Sequence, residues 1–143
     1  MPKIKRVLAI ETSCDDTSIA VVDSDGRVLG LESANQDKYH SLYGGIVPEI
    51  ASRNHTVALL PLINVVLEKT HLSLDQLDGI AVTNRPGLIG ALIVGITSAK
   101  SLAMSLNIPM IGVNHLEGHL LAPFLKDDSY SPPPEFSFPF LAL

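Results

Sequence analysis

Arg6-Val7-Leu8-Ala9-Ile10-Glu11-Thr12-Ser13-Cys14-Asp15-Asp16-Thr17-Ser18-Ile19-Ala20-Val21-Val22 is the stretch that decides the fold. Two β-rich runs, Arg6 to Ile10 and Ser18 to Val22, flank a polar bend, a pattern that predicts an antiparallel hairpin. Asp23-Ser24-Asp25-Gly26 supplies a second turn in which Gly26 can take positive φ, and Arg27 to Ala34 forms a third, weaker strand. Together the three runs predict a meander.

From Tyr43 the period changes. Gly44-Gly45 break the chain, Pro48 suits a first helical turn, and Ile46, Ile50, Val57, Leu60, Ile63 and Leu67 recur at helical spacing. Pro61 removes one backbone donor and clashes one turn back, which predicts a kink or two abutting helices. Asp78 to Val82 reads as a strand. The turn Thr83-Asn84-Arg85-Pro86-Gly87 then leads into a helical run to Leu106 that is apolar nearly all round and therefore expected to be buried. Met110 to Val113 reads as another strand, followed by His115-Leu116-Glu117-Gly118-His119. The order β-β-β-α-β-α-β predicts an α/β fold, a mixed sheet with helices of the ribonuclease-H type.

The tail differs in composition. Residues 123–139 hold five of the ten prolines, and all four phenylalanines lie between Phe124 and Phe140. Ser131-Pro132-Pro133-Pro134 reads as a loop or linker, and Phe136 to Leu143 as a strand that begins as the sequence stops, which suggests a longer protein.

Composition narrows the function. The 143 residues are 46% hydrophobic and only 17% charged, below the roughly 25% of ordinary soluble domains, so a large apolar share is expected to be covered. The net charge of −5 excludes recruitment of nucleic acid by bulk charge. A lone cysteine, Cys14, allows no internal disulfide and fits a reducing compartment. The longest uncharged apolar run, Gly87 to Ala99, is 13 residues, against roughly 18 to 20 for a bilayer span. No membrane association and a cytoplasmic location are therefore expected, with Asn54-His55-Thr56 a chance sequon.

Four constellations could carry chemistry. His115 and His119 are four apart, so on a helix both imidazoles face one side and could share an ion; two hydrogen-bonded histidines at a helix start are the alternative. Glu117 lies about 200° round the helix from His115, which argues against peptidase chemistry. A third ligand has to come from elsewhere, with Glu11, Asp15 or Asp16 available if the hairpin lies nearby. The bend itself, with Thr12, Ser13, Cys14 and Asp15, could hold phosphate oxygens or Mg²⁺, or could simply satisfy its own backbone. Cys14 has no histidine close in sequence and reads as a small filler. Thr83 to Gly90 lacks phosphate-loop fingerprints, so Gly90 and Gly95 read as close-packing positions, with Arg85 free to face an anionic ligand or a partner. Lys38 to His55 reads as a surface loop and solvated helix face with a Glu49–Arg53 pair.

Five of these segments, in order and together, resemble the TsaD (formerly Gcp) family: Ile10-Glu11-Thr12-Ser13-Cys14-Asp15-Asp16-Thr17, Tyr43-Gly44-Gly45-Ile46-Val47-Pro48-Glu49, Ala51-Ser52-Arg53-Asn54-His55, Pro86-Gly87-Leu88-Ile89-Gly90 and Asn114-His115-Leu116-Glu117-Gly118-His119. The resemblance implies the first lobe of the actin, sugar-kinase and heat-shock-chaperone ATPase superfamily over residues 1–125. A Pro-rich linker over 126–135 and the first strand of a second lobe over 136–143 would follow.

The same resemblance implies the chemistry. The threonylcarbamoyl group would pass from threonylcarbamoyl-adenylate, made from ATP, to the adenosine beside the anticodon of tRNA. His115 and His119 would ligate Fe(II) or another divalent metal, and the bend at Thr12, Ser13, Cys14 and Asp15 would face the nucleotide cleft. Partners would be a TsaB-like paralogue, docked on the first two helices, and a TsaE-like ATPase. Family members are more than twice as long, and their Ser-Gly-Gly stretch and acidic third ligand lie beyond the part matched here. Arg85 stands where they commonly carry Gly. The competing reading is a non-catalytic partner-binding fragment or paralogue; a metallopeptidase is the third.

Overall fold

The computed structural model describes residues 5–142. Three strands open it: β1 (Arg6–Glu11), β2 (Thr17–Asp23) and β3 (Val28–Ala34). β1 pairs antiparallel with β2, and β2 with β3, with Gly26 at φ 75° in the second turn, so the expected meander is present. A short helix α1 (Asp37–His40), then α2 (Pro48–Thr70), β4 (Gly79–Arg85), α3 (Ile89–Leu106), β5 (Met110–Asn114) and α4 (His115–Leu121) complete the element order. β4 lies parallel to β1 and β5 parallel to β4, giving the sheet order β3-β2-β1-β4-β5. This is the ribonuclease-H-type mixed sheet that the element order predicted.

Alternation along the strands builds the core. Leu8, Ile10, Ile19, Val21, Ile80 and Val82 are buried on one sheet face, where Leu59, Ile63 and Val66 of α2 and Ala99 and Ala103 of α3 close over them. Full burial of each large aliphatic side chain is worth about 1.5–3 kcal/mol, so this layer dominates the stability. On the opposite face Ala9, Ala20, Leu31, Ala81 and Val113 line an open concavity bordered by Glu11, Ser18 and Thr83.

Three expectations are corrected. Of the two outcomes expected at Pro61, abutting helices are excluded, since α2 runs unbroken through it. Pro61 and Val57, whose carbonyl loses its donor, both lie on the exposed side, where water can take the freed acceptor. α3 is not buried all round: Ile89, Ile93 and Met104 are 77%, 56% and 74% exposed. Its packed face is Ala91, Leu92, Gly95, Ala99 and Ala103, all but Leu92 small residues that bring the helix close to the sheet, while Ile89, Ile93 and Met104 stay outside. By length and composition α2 and α3 could each cross a membrane; here each lays one face on the sheet and packs against the other.

The third correction concerns the tail. Residues 136–142 form no strand, and Leu143 lies outside the described residues. The Phe124 ring instead gathers Phe136, Phe138 and Phe140 at centroid distances of 4.5, 5.0 and 5.6 Å. Pro139 offers no N–H to a ladder, and the Phe136 N–H is spent on the Pro133 carbonyl at 2.9 Å. Upstream, Lys126 donates its N–H to the Gly26 carbonyl at 2.9 Å and accepts from Val28 at 2.8 Å, tying the chain back to the β2–β3 turn.

Candidate functional site

The parallel strands β1, β4 and β5 end side by side at Glu11, Arg85 and Asn114, and ligands of open α/β sheets gather at such carboxyl ends. α4 starts directly there. The Asn114 side chain accepts the Leu116 N–H at 2.9 Å, capping the helix so that His115 occupies its first position beside Glu11.

One helical turn brings the two imidazoles together. Nε2 of His115 and Nε2 of His119 are 3.0 Å apart, with ring centroids at 4.6 Å and planes at 85°. The other nitrogen of His115, Nδ1, lies 3.1 Å from Glu11 Oε2 and 3.2 Å from the Ser13 hydroxyl. Glu11 is also held from two further directions. Thr83 Oγ1 donates to Oε2 at 2.5 Å and the Ser13 N–H to Oε1 at 2.5 Å. Burial pushes this carboxyl up, but the bonds from Ser13, Thr83 and His115 outweigh it and hold the group below the usual Glu value. Two adjacent imidazole nitrogens are suitable donors for a divalent ion. They do not form a complete shell, since no group of three His, Cys, Asp or Glu is poised around one point among the described residues.

The four bend residues diverge. Thr12 is fully buried, its hydroxyl donating to the Ala91 carbonyl at 2.8 Å. Ser13 is the one that reaches His115. Cys14 is half-buried, and burial together with the neighbouring Asp15 pushes its thiol up, away from nucleophilic thiolate character. Asp15 borders a separate hollow with Asp37, His40, Ser41 and Ile46. Asp16 accepts from the Asn35 amide at 2.8 Å.

Two histidines that the sequence placed on a solvated surface are buried struts. His55 of α2 donates Nε2–H to the Cys14 carbonyl at 2.8 Å and accepts the Thr17 hydroxyl at Nδ1, 2.7 Å away, so it ties the tip of the bend to the start of β2. His40 bonds Gln36 at 2.9 Å and accepts the Val47 N–H at 3.2 Å, fixing the loop before α2. The Glu49–Arg53 pair is present at 2.6 Å and solvated, worth a few tenths of a kcal/mol. Glu117 is exposed.

Glycines let the pieces touch. A Cβ on Gly87 would come within 2.6 Å of the Ser13 carbonyl, which accepts the Leu88 N–H at 2.8 Å. Cβ atoms on Gly95 and Gly90 would collide with the Thr12 and Ser52 hydroxyls, so these are close-packing positions as expected. Arg85 is exposed at the end of β4. Sequence reasoning overlooked Thr83, although the parallel register that pairs Ile10 with Val82 places it next to Glu11.

Comparisons with known proteins place the sequence in a family. Residues 27–142 match the family described as TsaD: tRNA N6-adenosine threonylcarbamoyltransferase. A tRNA N6-adenosine threonylcarbamoyltransferase of Bdellovibrio bacteriovorus is 61% identical over 140 residues, 98% of this chain and 41% of the relative. One from Syntrophotalea carbinolica is 48% identical over 137 residues, 96% of this chain and 38% of the relative. The chain thus spans about two fifths of the length of these relatives. Among solved structures, YeaZ from Pseudomonas aeruginosa superposes with a TM-score of 0.62 at 21% identity, covering 84% of this chain and 48% of that one, a likeness of fold. On the strength of the family match and these relatives, the chain belongs to the TsaD family.

Proposed function

We propose that this chain is the amino-terminal lobe of a tRNA threonylcarbamoyladenosine transferase, which moves the threonylcarbamoyl group from threonylcarbamoyl-adenylate to the adenosine next to the anticodon. The observation that carries the reading is the imidazole pair, Nε2 to Nε2 at 3.0 Å, placed beside the hairpin bend at the carboxyl end of the sheet. His115 and His119 would hold Fe(II) or another divalent ion through those two atoms, with further ligands from outside the described residues. When bound, such an ion supplies a Lewis acid and a template for the adenylate. Ser13 sets a hydroxyl beside the pair, and the bend that carries it would face the nucleotide. Residues 1–125 make up the lobe, and the return of Lys126 to the β2–β3 turn supports an end to it there.

The exposed apolar residues of α2 and α3 serve a TsaB-like paralogue, with a TsaE-like ATPase completing the assembly around tRNA. The same faces would suit a non-catalytic partner-binding fragment, and one experiment separates the two. The first 140 or so residues of the Bdellovibrio bacteriovorus relative are replaced by this chain, and threonylcarbamoyladenosine is measured in tRNA by mass spectrometry of nucleosides. The expected result is modification that is lost on His115→Ala or His119→Ala. A folded, partner-bound chimera that leaves tRNA unmodified overturns the catalytic reading in favour of the binding one.

A further inference from the structure

We propose that Glu11 is the positioning residue of the imidazole pair: by accepting the Nδ1–H of His115, it turns the Nε2 lone pair of that ring toward His119. The inference rests on the metal-holding role proposed for the two histidines. Glu11 Oε2 lies 3.1 Å from Nδ1, whereas His119 lies 3.0 Å from Nε2. The two ring nitrogens point in diverging directions, so an oxygen bonded to Nδ1 stands on the far side of the ring from an ion at Nε2. Glu11 is therefore not the missing third ligand that its chemistry suggested.

A carboxylate accepts hydrogen bonds and donates none, so its contact fixes the His115 proton on Nδ1 and leaves Nε2 bare. The Ser13 hydroxyl, 3.2 Å from the same nitrogen, closes the other side of that contact. Glu11 is itself immobilised. Thr83 Oγ1 and the Ser13 N–H each bond it at 2.5 Å, from a neighbouring strand and from its own bend. Asp16 cannot substitute, since its carboxylate is engaged with Asn35 at 2.8 Å, and Asp15 borders a different hollow. A carboxylate on the second nitrogen of a ligating histidine sets tautomer and ring orientation, and its loss typically costs about 10–100-fold in metal affinity.

The test uses the metal-free 143-residue chain with Co(II) alone as probe, read by visible absorption. His119→Ala should abolish binding, and Glu11→Gln, which keeps the shape but can offer an amide N–H to Nδ1, should weaken it about 10–100-fold. Wild-type affinity in Glu11→Gln alongside loss in His119→Ala overturns the role given to Glu11. Unchanged binding in His119→Ala overturns the metal reading instead. Long-range proton–nitrogen NMR on the metal-free chain decides independently of folding in any variant. The wild-type His115 signal should be that of the Nδ1–H tautomer, with Thr83→Val loosening the preference. A wild-type Nε2–H signal refutes the proposal.

Discussion

His55 donates its Nε2–H to the Cys14 carbonyl at 2.8 Å, a bond from the middle of the first long helix to the tip of the opening hairpin. Burial holds this ring below the ordinary histidine value, opposed in part by that carbonyl and by Glu11, Asp15 and Asp16. As pH falls below about 6.5 the unfolded chain takes up a proton that the folded chain refuses until lower pH. The unfolded state then binds more protons, so stability decreases as pH falls through that window. Glu11 adds a second loss below about 4.5, because its folded-state value is also held down while the unfolded carboxyl protonates first. Denaturant midpoints recorded between pH 7 and 5.5 should decline, and His55→Gln should flatten the decline. Equal slopes in the two chains would remove His55 as its cause.

Gly95 sits against Thr12, where an added Cβ would overlap the Thr12 hydroxyl. Ala in place of Gly within a helix gains about 1 kcal/mol from propensity, whereas overpacking a tight contact costs about 1–3 kcal/mol. The clash wins because the hydroxyl is anchored on the Ala91 carbonyl at 2.8 Å and Thr12 is fully buried. Gly95→Ala should lower stability by up to about 2 kcal/mol in chemical denaturation. In the Thr12→Ala background it should be neutral or stabilising, giving a coupling of at least about 1 kcal/mol.

Pro61 tests the opposite balance. It sits on the exposed side of an unbroken α2, so its missing donor and its ring are costs with no packing return. A helix-interior proline costs about 3 kcal/mol relative to alanine, while its stiffening of the unfolded chain returns up to about 1 kcal/mol. Pro61→Ala should therefore stabilise the chain by about 2 kcal/mol. A fall in the thermal midpoint would show that a bend at Pro61 is required by the packing of α2 on the sheet.

The meander, the two long helices and the later strands were legible because period-2 and helical patterns are local, and Gly26 and Pro48 mark their turns directly. The His115–His119 pair was legible for the same reason, since four residues make about one turn. Contacts set by strand register were not. The approach of Thr83 and Glu11 depends on the parallel pairing of β1 with β4, and the His55 strut links residues 41 apart. Composition also misled: the apolar circumference of α3 reads as burial, yet small residues took the packed face and left Ile89 and Ile93 in solvent.

That exposed face yields the last prediction. Ile89 and Ile93 lie four apart on one stripe of α3, Val57 and Leu60 three apart on α2, and the helices share a groove lined by Thr56, Leu60, Val94 and Thr97. Since Ile93 is 56% exposed, replacing it with lysine removes little core contact, and its effect on stability should stay near about 0.5 kcal/mol. A partner covering the stripe would instead have to bury the new charge without a counter-ion, which costs far more than the lost methyl groups. Ile93→Lys should therefore weaken binding of a TsaB-like paralogue at least tenfold in calorimetry while shifting the circular-dichroism melt by no more than about 3 °C. Leu141→Lys, on the tail and 85% exposed, should leave that affinity as it was. If both variants bind as the wild type does, the partner docks elsewhere, and the apolar stripe of α3 loses the role argued for it.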